Sequence, residues 1–279
     1  MPYSEDIEKK IKSFYSIENV ISAMKAYAGV TIRQTEEIVP NVREYEKNIL
    51  SVMKDLIVNY PDLRLMKSNG GKRIIIVFGS SQGLCGAYNE KITDAVAEVI
   101  TDKDVVFIIG RRLASSLELR QITFESYSDS VLSISGIESA LEKTIVQIMN
   151  IYSKKEFYNL TFLFTSVFEN KAQIVIERIL PPDFDGMLTM SPDNIAPFTY
   201  LDAEVIFTRS LEELLYISLY RCYVESLRSE NWYRLRSMEG ASESIKKHIE
   251  ELGSLQKYIR QEEITEEMLE ILGSGMFYK

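Results

Sequence analysis

The stretch TRSLEELLYISLYRCYVESLRSENWYRLRSMEGASESIKKHIEELGSLQKYIRQEEITEEMLEILGSG, residues 208–275, decides how this chain is built. It contains no proline, and its only glycines before the end are Gly240 and Gly253. That predicts one helix of about 65 residues, about 100 Å long at a rise of about 1.5 Å per residue. An ordinary globular helix has about 11 residues. A helix this long cannot bury itself within one domain, so it runs against a partner helix or inside another protein. Its apolar residues recur every seventh position. One seam reads Ile217, Val224, Asn231, Met238, Ile245, Leu252 and Ile259; the other reads Tyr220, Leu227, Arg234, Ala241, His248 and Leu255. Interleaved seven-residue repeats mark a left-handed coiled coil. Asn231, Arg234 and His248 interrupt the seam, either as polar positions that set register or as the mark of a shaft that moves against changing neighbours.

The partner is found at the other end of the chain. Residues from about Ser4 to Asn59 form a second helix, with Ser4 as N-cap and Ile7 as first seam residue. Ile7, Phe14, Ile21, Ala28, Thr35, Val42, Ile49 and Leu56 make one seam, and Ile17, Met24, Thr31, Ile38, Tyr45 and Val52 the second. Pro40 inside this pattern is expected to kink or break the helix. The small residues Ala23, Ala26, Ala28 and Gly29 let another backbone approach. Asn59-Tyr60-Pro61-Asp62 ends the segment, and Ser68-Asn69-Gly70-Gly71 reads as a loop.

Between the helices lie about 130 residues of another kind. Arg73 to Phe78 and Val105 to Ile109 are β-branched apolar runs, the mark of strands buried on both faces. Helical segments follow at about Asn89 to Ile100 and Arg111 to Leu119. Ile137 to Tyr152 is a helix, Leu160 to Val167 a strand, and Ala172 to Leu180 a further helix or strand. Asp183 to Leu201 is turn-rich, with Pro192 and Pro197. The alternation predicts an α/β domain with a parallel, Rossmann-like sheet, inserted between two long terminal helices that form an antiparallel coiled coil. The divisions are residues 1–60, 61–202 and 203–279. The C-terminal helix is the longer one, so its end is expected to protrude with Ile264, Met268, Ile271 and Leu272 uncovered, an aggregation hazard unless something outside the chain covers it.

Composition excludes several classes. In 279 residues the net charge is −9, which argues against nucleic acid as a partner. Cys85 and Cys222 give neither a disulfide framework nor metal-ligand spacing. No apolar run approaches the ~20 residues of a membrane span, so work at a membrane would be peripheral. Gly79-Ser80-Ser81-Gln82-Gly83 satisfies G-x-S-x-G between a strand and a helix. A serine hydrolase needs a base as well, and the chain's single histidine, His248, falls on the coiled-coil seam. The bland reading is a tight turn whose glycines supply a left-handed backbone. The turn lacks the lysine of a phosphate-binding loop. Cys85 reads as a structural thiol, and the acidic run at Glu262, Glu263, Glu266 and Glu267 as a solvated face. No catalytic residue, cofactor or metal is expected.

Four stretches carry a family resemblance. Ile11-Lys12-Ser13 with Ala23-Met24-Lys25, the turn from Ser81 through Gly83, Leu84, Cys85 and Gly86 to Asn89, Glu225-Ser226 with Glu230, Arg234 and Met238, and Arg260-Gln261 with Ile264-Thr265 and Glu267 together resemble the gamma subunit of F-type ATP synthases. That resemblance implies a central rotor shaft inside a ring of alpha and beta subunits, with the α/β domain near the epsilon subunit and the c-ring of the membrane sector. It implies that ATP chemistry belongs to the beta subunits. It also implies that Met24, Lys25, Arg260, Gln261 and Thr265 face the ring, while Met268, Ile271 and Leu272 sit in a bearing. The expected location is peripheral, on the cytoplasmic face of a bacterial or archaeal cell membrane. Ala26 to Gln34 departs from the family's usual alanine-rich run, with Thr31 in the place of a lysine. The departure looks more like the alternate branch of F-type ATPases, which includes sodium pumps; the ion is chosen by the c-ring. The competing readings are a coiled-coil adaptor that no longer rotates and, far behind, a hydrolase at Ser81.

Overall fold

The structure, a computed structural model, describes residues 2–60, 63, 72–152, 157–182 and 198–275. Two helices frame the chain: α1, Pro2–Asn59, of 58 residues, and α5, Ala203–Gly275, of 73 residues. Helix α1 starts at Pro2, so Ser4 lies inside it rather than at its cap. Proline suits a first helical position because its missing N–H has no intrahelical partner there. Helix α1 also runs through Pro40 without a break. Pro40 is exposed and the next two inward positions, Val39 and Val42, are buried, so the lost backbone bond faces water. The loops at Ser68–Gly71 and around Pro192 lie outside the described residues.

The chain forms two compact units, Ala28–Tyr233 and Met1–Tyr27 with Arg234–Lys279. The first holds a sheet of five strands. In chain order its elements are β1 (Lys72–Phe78), α2 (Tyr88–Val99), β2 (Val105–Ile109), α3 (Arg111–Leu119), β3 (Ser126–Ser128), α4 (Ile137–Tyr152), β4 (Phe157–Phe168) and β5 (Lys171–Leu180). The spatial order is β3-β2-β1-β4-β5. The pairs β1–β2, β1–β4 and β2–β3 are parallel, and β5 returns antiparallel along β4. The parallel expectation holds for four strands, and the open choice at residues 172–180 resolves to an antiparallel edge strand. β3, the three residues Ser-Tyr-Ser, has no apolar run to announce it.

Alternation along the strands decides what lies on each face. Ile74, Ile76, Phe78, Phe162 and Phe164 point to one side, where α4 contributes Ile137 and Leu141, α1 contributes Val39, and α5 contributes Leu219, Tyr223 and Leu227. Ile75, Val77, Val106 and Ile108 point to the other, against Ile92 and Val96 of α2 and Leu113 and Leu117 of α3. Each such side chain contributes about 1.5–3 kcal/mol. At the far end of the two long helices, Ile49, Met53 and Leu56 pack with Ala203, Phe207 and Leu214. Across the helix pair Tyr45 bonds Glu213 at 3.0 Å, Arg43 meets Glu225 at 3.0 Å, and Glu36 meets Arg228 at 3.1 Å. Falling numbers on α1 meet rising numbers on α5, so the helices are antiparallel.

In the second unit the ring of Phe14 stacks on His248 at 5.8 Å. The predicted first seams hold: Ile7, Ile21, Ala28, Thr35, Val42, Ile49 and Leu56 are buried on α1, and Ile245, Leu252 and Ile259 are half-buried on α5. The second seams hold only in part: Thr31 is buried and Met24 and Ile38 half-buried on α1, Leu227 and Arg234 are buried and Tyr220 and Ala241 half-buried on α5, and the remaining positions fail. On α1 Ile17, Tyr45 and Val52 are exposed, and Ile11, Glu18, Val39, Glu46 and Met53 turn inward instead. On α5 His248 and Leu255 are exposed, while Ser242, Ile249, Gln256 and Glu263 take the inner positions. The inward residues Asn231, Arg234, Met238 and Ser242 step by three, four and four. An eleven-residue step absorbs the drift of about 20° per heptad that a 3.6-residue helix has against a strict seven-residue repeat. Of the small residues on α1, Ala28 is fully buried, whereas Ala23 and Ala26 face water.

Candidate functional site

The glycine-rich turn leaves β1 between the sheet and α3. An added Cβ on Gly79 would lie 2.5 Å from the Cβ of Leu113, so glycine there lets α3 close onto the strand end. Gly110 faces it with φ +124°, and its N–H donates to Ser128 O at 2.7 Å. Gly83 has open space, the nearest atom being 3.7 Å away on the Arg112 guanidinium. The left-handed residues of the turn are Leu84 (φ 63°) and Gly86 (φ 53°). The expectation that the turn's glycines supply a left-handed backbone holds at Gly86 but not at Gly79 or Gly83; Gly79 is required for closeness. Leu84 adopts a conformation its sequence does not announce, and its side chain is exposed.

Ser81 is a clip. Its Oγ accepts N–H bonds from Ser130 at 2.7 Å and Arg111 at 3.3 Å, and donates to Asp129 Oδ1 at 3.1 Å. The Arg111 guanidinium, 2.8 Å from Asp129, holds that carboxyl below its ordinary range. A carboxylate so paired is a poor proton acceptor at neutral pH, and donors already occupy the serine's lone pairs. His248, the base the hydrolase reading would need, belongs to the other compact unit. The neighbouring Ser80 exchanges bonds with Asn89: its N–H donates to Oδ1 at 3.0 Å, and Nδ2 donates to its Oγ at 2.8 Å. Cys85 is buried with its Sγ 3.5 Å from Ser80 Oγ, a structural thiol. Tyr88 next to the turn is buried, which pushes its hydroxyl up, and that hydroxyl donates to Ser226 O of α5 at 3.4 Å. Gly83, Leu84, Cys85 and Gly86 thus lie in a turn that leads into α2, whose Tyr88 bonds α5. Among the described residues no group of three or more His, Cys, Asp or Glu is placed to hold a metal ion.

The residues expected to meet a surrounding ring sit on the two long helices. Arg260, Gln261 and Thr265 are exposed, the Thr265 hydroxyl donating to Gln261 O at 2.8 Å. Met268, Ile271 and Leu272 are 59%, 70% and 62% exposed. Gln261, Thr265, Met268 and Leu272 follow one another at helical spacing and share a face of α5. Met24 and Lys25 are half-buried on α1. Counted from the Phe14–His248 contact, Met24 lies about 15 Å along one way and Gln261 about 20 Å the other. The structure therefore places these two groups at separate levels of the helix pair. No described helix is long and apolar enough to cross a membrane.

Sequence reasoning missed one constellation. Arg221 on α5, 6% exposed, lies with its Nε 2.7 Å from Glu46 Oε2 of α1 and donates from Nη2 to Glu177 Oε2 of β5 at 2.8 Å. The Nε contact is an ion pair whose angle does not make a hydrogen bond. The guanidinium also lies 5.4 Å over the ring of Phe164 on β4. Burial alone would lower the Arg221 group; the neighbouring Cys222, Glu177 and Glu46 outweigh it and raise it. Glu225, 2% exposed, receives Arg43 Nε and Nη2 on Oε1 at 3.1 and 3.0 Å, and its Oε2 has no hydrogen-bond partner. Ser218 donates to Glu46. Arg221 and Glu225 stand four apart in the sequence, which was a visible signal; Glu46 and Glu177 reach them only through the fold.

Similarity to known proteins follows the same lines. The family model described as ATP synthase matches residues 4–276. The chain is 25% identical over 281 aligned positions to the ATP synthase gamma chain of Clostridium botulinum (strain 657 / Type Ba4), covering 96% of both chains. It is 27% identical over 289 positions to that of Heliobacterium modesticaldum, covering 99% of both. In fold it is similar to a rotor chain of the Euglena gracilis mitochondrial ATP synthase, with a TM-score of 0.63 and 13% identity over 94% of this chain and 98% of that one. It is likewise similar to a chain of the central stalk and c-ring assembly of the Tetrahymena thermophila enzyme, with a TM-score of 0.61 and 17% identity over 80% and 99%. With two long antiparallel helices, a small α/β sheet and a family match over nearly its whole length, the chain belongs to the ATP synthase family, and the relatives it aligns with end to end are gamma chains.

Proposed function

We propose that this chain is the rotating shaft of its enzyme and does no bond-making chemistry of its own. Ion flow through a membrane c-ring turns the foot of the chain. The helix pair turns inside a ring of alpha and beta subunits, and its asymmetry drives the nucleotide sites of that ring through their states. The observation that carries this reading is the α5 face bearing Met268, Ile271 and Leu272, left more than half exposed on a helix of 73 residues. Apolar side chains arranged so are a liability in a free protein and an asset inside a sleeve. On the same reading Arg260, Gln261 and Thr265 meet the ring near its top, and Met24 and Lys25 meet it lower down. The α/β unit sits beside an epsilon subunit and the c-ring. The protein is then peripheral, on the cytoplasmic face of the membrane, and its kinship with the alternate branch leaves the choice of proton or sodium to the c-ring.

Affinity purification of the tagged chain from its own cells tests this. Recovery of alpha, beta and c subunits in stoichiometric amounts is the expected result. A stable, monodisperse monomer with none of them would overturn the reading.

A further inference from the structure

We infer that Arg221 is a torsional joint: a positioning residue that fixes the angle of α5 about its own axis against both the sheet and α1, so that rotation of the sheet is carried into the helices without slip. The inference rests on the rotor reading above. It starts from how differently apolar and ionic contacts resist turning. Apolar side chains packed on a sheet resist separation, but they are non-directional and can repack when a helix is rotated. A guanidinium is a planar fork whose N–H groups point in fixed directions, so its bonds fix an angle as well as a distance.

Arg221 is the described residue at which three elements meet through such bonds. Its Nη2 donates to Glu46 Oε1 of α1 at 3.2 Å and to Glu177 Oε2 of β5 at 2.8 Å, and the Phe164 ring of β4 lies at 5.4 Å under the guanidinium plane. Glu225 adds a contact at 3.6 Å from one turn further along α5, and Arg43 of α1 closes the ring of charges at 3.0 Å. The cluster holds two arginines and three glutamates, and Glu225 Oε2 is buried without a protein hydrogen-bond partner. Apolar replacement of buried ion sets is often neutral or stabilising, so stability alone does not call for such a set here. Directional constraint is what the arrangement supplies in return.

The test uses the assembled enzyme in inverted membrane vesicles, reading ion uptake per ATP hydrolysed. Arg221→Met alone strands Glu46 and is expected to lower the melting temperature by roughly 5 °C or more. The triple variant E46L/E177Q/R221M removes the stranded charges together and is expected to melt near the parent and assemble normally. If the joint is real, this variant hydrolyses ATP yet loses most of its ion uptake per ATP. Arg221→Lys, which keeps the charge without the fork, is expected to lose uptake in the same sense, and it decides the matter if the triple variant does not fold. Parental uptake per ATP in the folded variants would overturn the joint and leave the rotor reading standing. A parental chain that forms no ATPase at all would overturn both.

Discussion

Gly110 and Gly83 make opposite demands on their surroundings although both border the same turn. A Cβ on Gly110 would lie 2.7 Å from the carbonyl carbon of Gly79 and 2.8 Å from Ser80 N, at φ +124°. Backbone atoms cannot step aside as a side-chain tip can. Gly110→Ala is therefore expected to cost about 3 kcal/mol or more. At Gly83 the nearest atom is a mobile guanidinium at 3.7 Å, and Gly83→Ala is expected to stay within about 0.5 kcal/mol. Chemical denaturation of the two variants checks both, and equal losses would sink this account of the turn. The residue the sequence advertised, Ser81, belongs to the same turn as a hydrogen-bond clip between β1, α3 and the segment after β3. A G-x-S-x-G string states spacing alone. The partners that saturate its hydroxyl come from residues 30 and 49 positions away.

Among the elements, the helix pair is where sequence periodicity was most informative and also where it misled. The first seam on each helix was readable because one residue in seven is apolar or small all along it. The second was assigned by assuming a constant step of three, which holds from Val224 to Arg234 and at Ala28–Thr31, and becomes four beyond Met238 on α5 and beyond Val42 on α1. Leu255 is then exposed and Leu252 half-buried. Leu252→Asp is expected to cost roughly 2 kcal/mol or more and to lower the melting of the helical circular-dichroism signal by several degrees. Leu255→Asp, three residues on, is expected to change it by no more than about 0.5 kcal/mol. The reverse order would restore the strict seven-residue register. Strand β5 shows the matching lesson in the sheet: its residues 171–180 alternate between exposed and half-buried, and both a helix and an edge strand fit that pattern until β4 is seen beside it.

For the whole molecule, the question is what an exposed apolar end of α5 is for. Because Met268, Ile271 and Leu272 are more than half exposed, truncation after Thr265 is expected to leave the melting of the remaining protein unchanged. In the assembled enzyme the same truncation is expected to lower ATP-driven ion uptake, because the shaft loses its upper support. Unimpaired coupling in the truncated enzyme would favour a static adaptor over a rotor. The two measurements separate folding from function, which a substitution in the buried helix pair cannot do.

Several properties of this protein were written in one dimension. Two proline-poor, seven-residue-periodic ends and a strand–helix alternation between them suffice for the architecture, because helix length and side-chain period are local properties of the chain. The family signatures are likewise short strings. The second seam, the left-handed Leu84, the three-residue β3 and the charge cluster at Arg221 were settled by the tertiary structure. The seam, the strand and the cluster each depend on a neighbour distant in sequence: the drift of one helix against another, the pairing of β3 with β2, and the arrival of Glu46 and Glu177 beside one arginine. Such encounters leave no periodic trace, since the energy that selects them exists only after the elements have met.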